Sequence, residues 1–379
     1  MGGVYWEPVE IGMAVLGGAF IALSTSLHLL ILGRITGMSG MFFTLIRFAK
    51  KEHFVGKICC VFGIVLIPFL FYYSETRHFE VDGYSYRVLD NQEEANDDLS
   101  LAGWAVGGLL VGFGTKLGNG CTSGHGVCGL PRLSLRSFVA VGCFLSTALG
   151  ISTLRFYEPF LHETDTASDK LVEVYDHVAQ AGMTLLFLIV LGLCIYYLLT
   201  KKVPEERYDP IVSFLVGGIF GMGLLVSGMC RRTKIRDFLS LGDGWDPSLL
   251  FVLLSAVSIN FLTFRLILNH TKAPLLGKEC QLPKKKTIDW QVVVGPAIFG
   301  LGWGISGFCP GPGMVNLFLT THCGVYMVAL AVGQMLAFGL TSFLDRKKPA
   351  TSPSQSHSLK NSAPEANLQD NTTPNPLAN

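Results

Sequence analysis

The chain has 379 residues, half of them hydrophobic and only 15% charged, with a formal net charge of +1. Its mean hydropathy of +0.44 is too high for a soluble domain of this size. The near-zero charge removes the electrostatic case for nucleic-acid binding. Apolar stretches recur along most of the length, which predicts an all-α polytopic membrane protein in the lipid bilayer, with about nine transmembrane crossings.

The N-terminus lacks a basic n-region and a clear cleavage site, so no cleaved signal peptide is expected. Residues 1–10 read as a short external segment. Residues 11–48 read as one crossing made of a broken pair of half-helices, with two full crossings as the alternative. Segment 57–73 returns, and 101–117 and 132–150 go in and out around a glycine-rich break. Residues 151–180 read as an external acidic loop, 181–199 as a linker transmembrane helix and 200–210 as a cytosolic loop. The next crossings are 211–240, 248–268, 291–308 and 314–343. Residues 344–379 are expected to be a disordered cytosolic tail, because 349–379 are rich in Ser, Pro, Asn and Thr. The sequon at Asn371 is then unused.

Gly17-Gly18-Ala19-Phe20 resembles Gly217-Gly218-Ile219-Phe220, so the membrane part divides into halves 11–150 and 211–343, each with two glycine-interrupted units. Loop charge orients them. Residues 74–100 carry eight acids and two bases, and 152–180 carry six acids and two bases. Residues 47–57 carry four bases and one acid, and 269–290 carry five bases and two acids. Basic loops stay cytosolic, so the N-terminus is expected outside and the C-terminus inside. A single linker crossing then inverts the second half, and inverted repeats with broken helices are a transporter signature.

Two breaks carry cysteines. Gly118-Asn119-Gly120-Cys121-Thr122-Ser123-Gly124-His125-Gly126 and Gly307-Phe308-Cys309-Pro310-Gly311-Pro312-Gly313 cannot be uninterrupted helices. Irregular backbone at membrane depth must be buried in protein or line a cavity. Helix ends there offer unpaired N–H groups, and glycines let an anion approach. Asn119, Gly120, Thr122, Ser123, Gly124 and His125, with Gly307, Pro310 and Gly311 opposite, therefore form a candidate substrate path. Cys121 and Cys309 hold matched places, and a soft, polarizable thiol suits a sulfur-containing solute. A disulfide across the axis and simple packing are the alternatives. In the earlier unit of each half, Arg34 is a candidate anion attractor or a snorkelling cation. Cys230 precedes Arg231, Arg232 and Lys234, three cations expected to face a vestibule or an interface. His28 is expected to be packed.

These residues resemble the YeeE/YedE family of sulfur-compound transporters over roughly 11–343. The run 118–126 is the specific part, supported by Gly307-Phe308-Cys309-Pro310-Gly311-Pro312, by Gly33-Arg34-Ile35-Thr36-Gly37-Met38-Ser39-Gly40 and by Trp245-Asp246-Pro247-Ser248. The resemblance implies thiosulfate uptake through an hourglass of two inverted, pseudo-symmetric halves. In it, cysteines pass the ion along by transient S–H···S and S–H···O hydrogen bonds. By motif match Cys121 and Cys309 inherit that role. The family's third cysteine has no motif match, and Cys230 is the candidate for it. A cytosolic sulfur-carrier protein is a candidate partner.

Two other functions compete. A membrane sulfurtransferase or redox protein would use Cys121 as a persulfide carrier and need an acid–base partner, for which His125 is the candidate. A metal or selenium-compound transporter would need converging ligands from Cys121, His125, Cys128 and Cys309. No cofactor motif is present, so no cofactor and no enzyme activity are expected, and no conspicuous acid lies mid-span for a proton relay.

Overall fold

Long apolar runs form the helices, and the sequence ends four of them with a residue that takes a left-handed backbone. The computed structural model describes residue 4 and residues 6–47, 53–74, 78–81, 83–90, 99–161, 169–201, 203–271, 273–277, 279–283 and 287–346. Helices α1 (Pro8–Leu32), α2 (Met38–Ile46) and α3 (Phe54–Tyr73) are followed by an antiparallel hairpin, β1 (His78–Val81) and β2 (Tyr84–Arg87). Next come α4 (Leu101–Gly118), a single π-helical turn (Thr122–Val127) and α5 (Leu135–Tyr157). Helix α6 (Asp169–Thr200) leads to α7 (Pro204–Val226), α8 (Arg232–Leu239) and α9 (Ser248–His270). Helices α10 (Trp290–Ser306), α11 (Pro310–Asn316) and α12 (Cys323–Arg346) complete the chain. Two units divide it, Met1–Thr341 and Ser342–Asn379, the second described only to Arg346.

Among the described residues nine helical segments are long and apolar enough to cross a membrane. Large apolar side chains such as Leu188, Leu199, Leu262 and Val328 face outward, as lipid contact requires. The chain is an all-α polytopic membrane protein.

Glycine lets the helices pack backbone to backbone. A Cβ at Gly217 of α7 would lie 2.1 Å from Cys60 O of α3, and one at Gly18 of α1 would lie 2.5 Å from Val252 O of α9. One at Gly112 of α4 would lie 2.0 Å from Leu330 O of α12, and one at Gly300 of α10 would lie 2.2 Å from Phe144 O of α5. Helices α1 and α7 meet at Gly17 and Gly223, and α4 and α10 at Gly107 and Gly302. Exchanging α1, α3, α4 and α5 for α7, α9, α10 and α12 maps these pairings onto themselves.

Four long helices stop at Gly33 (φ 69°), Asn119 (φ 60°), Gly228 (φ 72°) and Gly307 (φ 76°). Glycine takes this conformation at no steric cost, and asparagine tolerates it. Two residues further on stand Ile35, Cys121, Cys230 and Cys309. A short helical element then follows each.

Several segments differ from the sequence reading. Residues 11–48 are not two half-helices. The 25 residues of α1 span about 37 Å and cross alone, because the first break falls only at Gly33. Helix α2 is a nine-residue element beyond it. The stretch read as an external loop is largely helical: α5 reaches Tyr157 and α6 begins at Asp169. Apolar run length alone underestimates helices whose ends are polar. Helix α7 likewise begins inside the stretch read as a cytosolic loop. Beyond Arg346 the tail and its sequon lie outside the described residues.

Candidate functional site

The two cysteine-bearing breaks meet. Cys121 and Cys309 are the N-cap residues of the π turn and of α11, both in extended conformation. Pro310 opens α11, where its missing N–H costs nothing. Thr122 Oγ1 donates to Cys309 Sγ at 3.5 Å, so the first break reaches the thiol of the second. Ser123 Oγ lies 3.2 Å from Cys121 Sγ. Both thiols are free and at most 3% exposed.

Cys121, Thr122, Ser123, Cys309 and Gly311 line one cavity of about 90 Å³, with Met38, Met229, Phe220 and Trp303 among its apolar walls. That is well below the ~300–1,000 Å³ of sites for organic ligands. Cys230 does not line this cavity, although its neighbour Met229 does. The Cys230 carbonyl accepts from Asn316 Nδ2 at 3.0 Å, which ties it to the end of α11.

His125 turns away from the thiol. Its Nδ1 lies 3.3 Å from Ser137 Oγ and its Nε2 3.4 Å from Gly118 O. Gly120 makes room for that ring, since a Cβ there would stand 2.6 Å from it. Cys128 donates to Thr36 O at 3.8 Å. Cys121, His125 and Cys128 thus have separate partners, and no three His, Cys, Asp or Glu side chains converge among the described residues. His28 is buried against Thr36 Oγ1, 2.8 Å from its Nδ1.

Asn119, Gly120, Gly124 and His125 line a second, open vestibule of about 1060 Å³. Arg34, Lys57, Lys116, Arg132, Arg136 and Arg265 also line it, and no carboxylate stands among the described lining residues. Arg34 therefore lies in this vestibule rather than beside the thiols. Its Nη1 donates to Asp209 Oδ1 at 2.6 Å, and its Nη2 meets His53 Nδ1. Arg136 Nη1 pairs with Asp289 at 2.7 Å, and its Nη2 reaches Gly118 O at 3.5 Å.

The cations after Cys230 do not face a vestibule. Lys234 is 1% exposed and paired with Glu10, which also holds Arg231 at 3.4 Å. Asp90 takes Thr233 N–H and Oγ1 at 3.0 and 2.7 Å and stands 3.5 Å from Arg231 Nε. Arg232 donates to Ser306 O at 2.9 Å and lies over the Trp104 ring. Burial is tolerated because each cation has a carboxylate, carbonyl or ring against it.

Several contributors escaped the sequence reading. Glu10 and Asp209 are each near the start of the first long helix of one half and hold cations of the other half's break. An acid within two residues of a proline, at the head of an apolar run, was the available signal. Asn260 is fully buried, donating to Thr25 Oγ1 and Val127 O at 2.9 and 3.0 Å. It anchors the end of the π turn, and an Asn in the middle of an apolar helix marked it. Met38 had no sequence signal.

A thiol-lined cavity inside a membrane bundle, beside a cationic vestibule, defines a transporter for small solutes. Residues 6–153 match the family described as sulphur transport, and residues 209–350 match a family of unknown function (DUF6691). A probable transporter of Xylella fastidiosa (strain 9a5c) is 41% identical over 129 residues, 33% of this chain and 86% of the relative. Another probable transporter, from strain Temecula1, is 36% identical over 149 residues, 39% of this chain and 93% of the relative. Each relative is thus about the size of one half. The chain belongs to the YeeE/YedE family of sulfur transporters, and it is a multi-pass membrane transporter.

Proposed function

We propose that this transporter is a permease for thiosulfate or a closely related sulfur anion, which passes between the Cys121 and Cys309 thiols. The observation that carries this reading is the small cavity lined by both thiols, with the Thr122 hydroxyl on one sulfur and the Ser123 hydroxyl at the other. Weak, polarizable S–H donors and neutral hydroxyl donors bind a sulfur anion without trapping it. Cys230 stands at the equivalent place in its own break but outside the cavity, so the passage is assigned to Cys121 and Cys309. The cationic vestibule supports the choice of an anion, because clefts of one sign concentrate the opposite charge.

The charge distribution supports an orientation with the N-terminus outside and the basic vestibule facing the cytosol of a plasma membrane. In that orientation the halves 11–150 and 211–343 are inverted about the linker 181–199, and a cytosolic sulfur-carrier protein would collect the ion at the vestibule. The partners made by His125 favour transport over persulfide chemistry, since the ring bonds Ser137 and Gly118 rather than Cys121.

The test is uptake of labelled thiosulfate into proteoliposomes holding wild type, Cys121→Ala or Cys309→Ala. Transport by wild type and its loss in both folded variants is the expected result. Variants that match wild type would reduce the thiols to packing. A wild type that moves no thiosulfate would overturn the substrate.

A further inference from the structure

The vestibule and the thiol cavity are separated by a wall one residue thick. Gly37 and Ser39 line the vestibule, whereas Met38 between them lines the cavity. Gly124 and His125 line the vestibule, whereas Thr122 and Ser123, just before them, line the cavity. One hydrogen bond joins the two strips of wall: Met38 N–H donates to Ser123 Oγ at 3.2 Å. That same hydroxyl lies 3.2 Å from Cys121 Sγ. Having accepted from Met38, it keeps its own proton for the sulfur.

The Met38 side chain is 1% exposed and reaches toward α11, where a Cβ on Gly311 would lie 3.6 Å from Met38 Cγ. It therefore fills the gap between the first break and the Cys309 break. The backbone beside the seam is loosely packed, unlike the glycines at the helix crossings. A Cβ added at Gly37, Gly40 or Gly124 would meet nothing within 4 Å.

We propose that Met38 and Ser123 form the inner gate between the thiol cavity and the cationic vestibule. Closed, the gate is the Met38–Ser123 hydrogen bond with the thioether laid across it. An anion arriving at Cys121 competes for the Ser123 hydroxyl as a donor. To reach the anion the Ser123 side chain rotates about χ1, and that rotation carries its oxygen away from the Met38 N–H. The glycine-flanked strips part, the flexible thioether swings aside, and the anion moves into the vestibule. Ser123 thereby couples occupancy of the cavity to opening. This rests on the cavity being the transport path.

The test needs no substrate. Purified protein in lipid nanodiscs is treated with a charged, membrane-impermeant methanethiosulfonate, and modification of Cys121 is followed by mass spectrometry of its peptide. Wild-type Cys121 is expected to react slowly. Ser123→Ala and Met38→Ala should each raise the rate about tenfold, the change expected for losing one stabilising contact from the closed state. Met38→Ala leaves the Ser123–Cys121 contact in place and so separates opening from altered thiol reactivity. Met38→Leu, which keeps the bulk, should stay protected. Wild-type Cys121 reacting as fast as the variants, or both alanine variants staying as protected as wild type, would overturn the gate. Failure of thiosulfate uptake alone would leave the labelling result standing, so the two readings fail separately.

Discussion

Glu10→Gln removes one carboxylate from a buried cluster. Glu10 holds both Lys234, 1% exposed, and Arg231, and its own side chain is 8% exposed. Asp90, a second carboxylate of the cluster, is already engaged by Thr233 and Arg231. The glutamine keeps the volume and an acceptor but removes the carboxylate paired with Lys234. Breaking a buried pair from one side costs about 3–5 kcal/mol. That corresponds to a fall in Tm on the order of 10 °C for a domain of moderate size. Thermal unfolding in detergent, followed by intrinsic fluorescence, reads the change. The double variant Glu10→Gln/Lys234→Met also removes the cation and should recover most of the loss, giving a large coupling in a double-mutant cycle. A Tm for Glu10→Gln within a degree of wild type would refute the reasoning and show that Lys234 is hydrated or neutral where it sits.

Gly217→Ala would drive a methyl to 2.1 Å from Cys60 O and should cost about 1–3 kcal/mol. Gly142→Ala, with nothing within 4 Å, should not lower the melting temperature and should raise it slightly, as expected for glycine replaced inside a helix. Asn260→Leu takes the side-chain donor from the buried Val127 carbonyl, while Thr25 Oγ1 keeps its bonds to Ile21 O and Ala22 O. It should cost about 1–3 kcal/mol and slow uptake by unseating the π turn. Lys57→Glu with Arg265→Glu turns two vestibule cations into acids. It should raise KM several-fold with little change in the maximum rate, and flatten the dependence of uptake on salt, because screening acts on the charge that has been removed.

Hydropathy and glycine were enough to read an all-α membrane bundle with nine crossings, because spanning a bilayer demands about twenty apolar residues and broken backbone must be internally satisfied. The repeat of Gly17-Gly18 at Gly217-Gly218 and the two cysteine-bearing runs were legible for the same reason. Local sequence carries run length, helix breakers and motif identity. Helix ends were less legible: α1 runs unbroken to Leu32, and α5 and α6 extend into an acidic stretch. Polar residues at helix ends look like loop in a hydropathy profile.

The pairings are a different matter. Arg34 is answered by Asp209, 175 residues away, and Lys234 by Glu10, 224 residues away. Whether a buried cation faces water or a carboxylate depends on which helices cross, and no local pattern states that. The same holds for Met38, an ordinary apolar residue in sequence. It becomes the wall of a cavity only because α2 lies against the π turn and α11. Sequence by itself determined the class of protein and where its backbone must break. Packing of the two halves decided which broken ends meet, which charges cancel and what stands between the thiols and the vestibule.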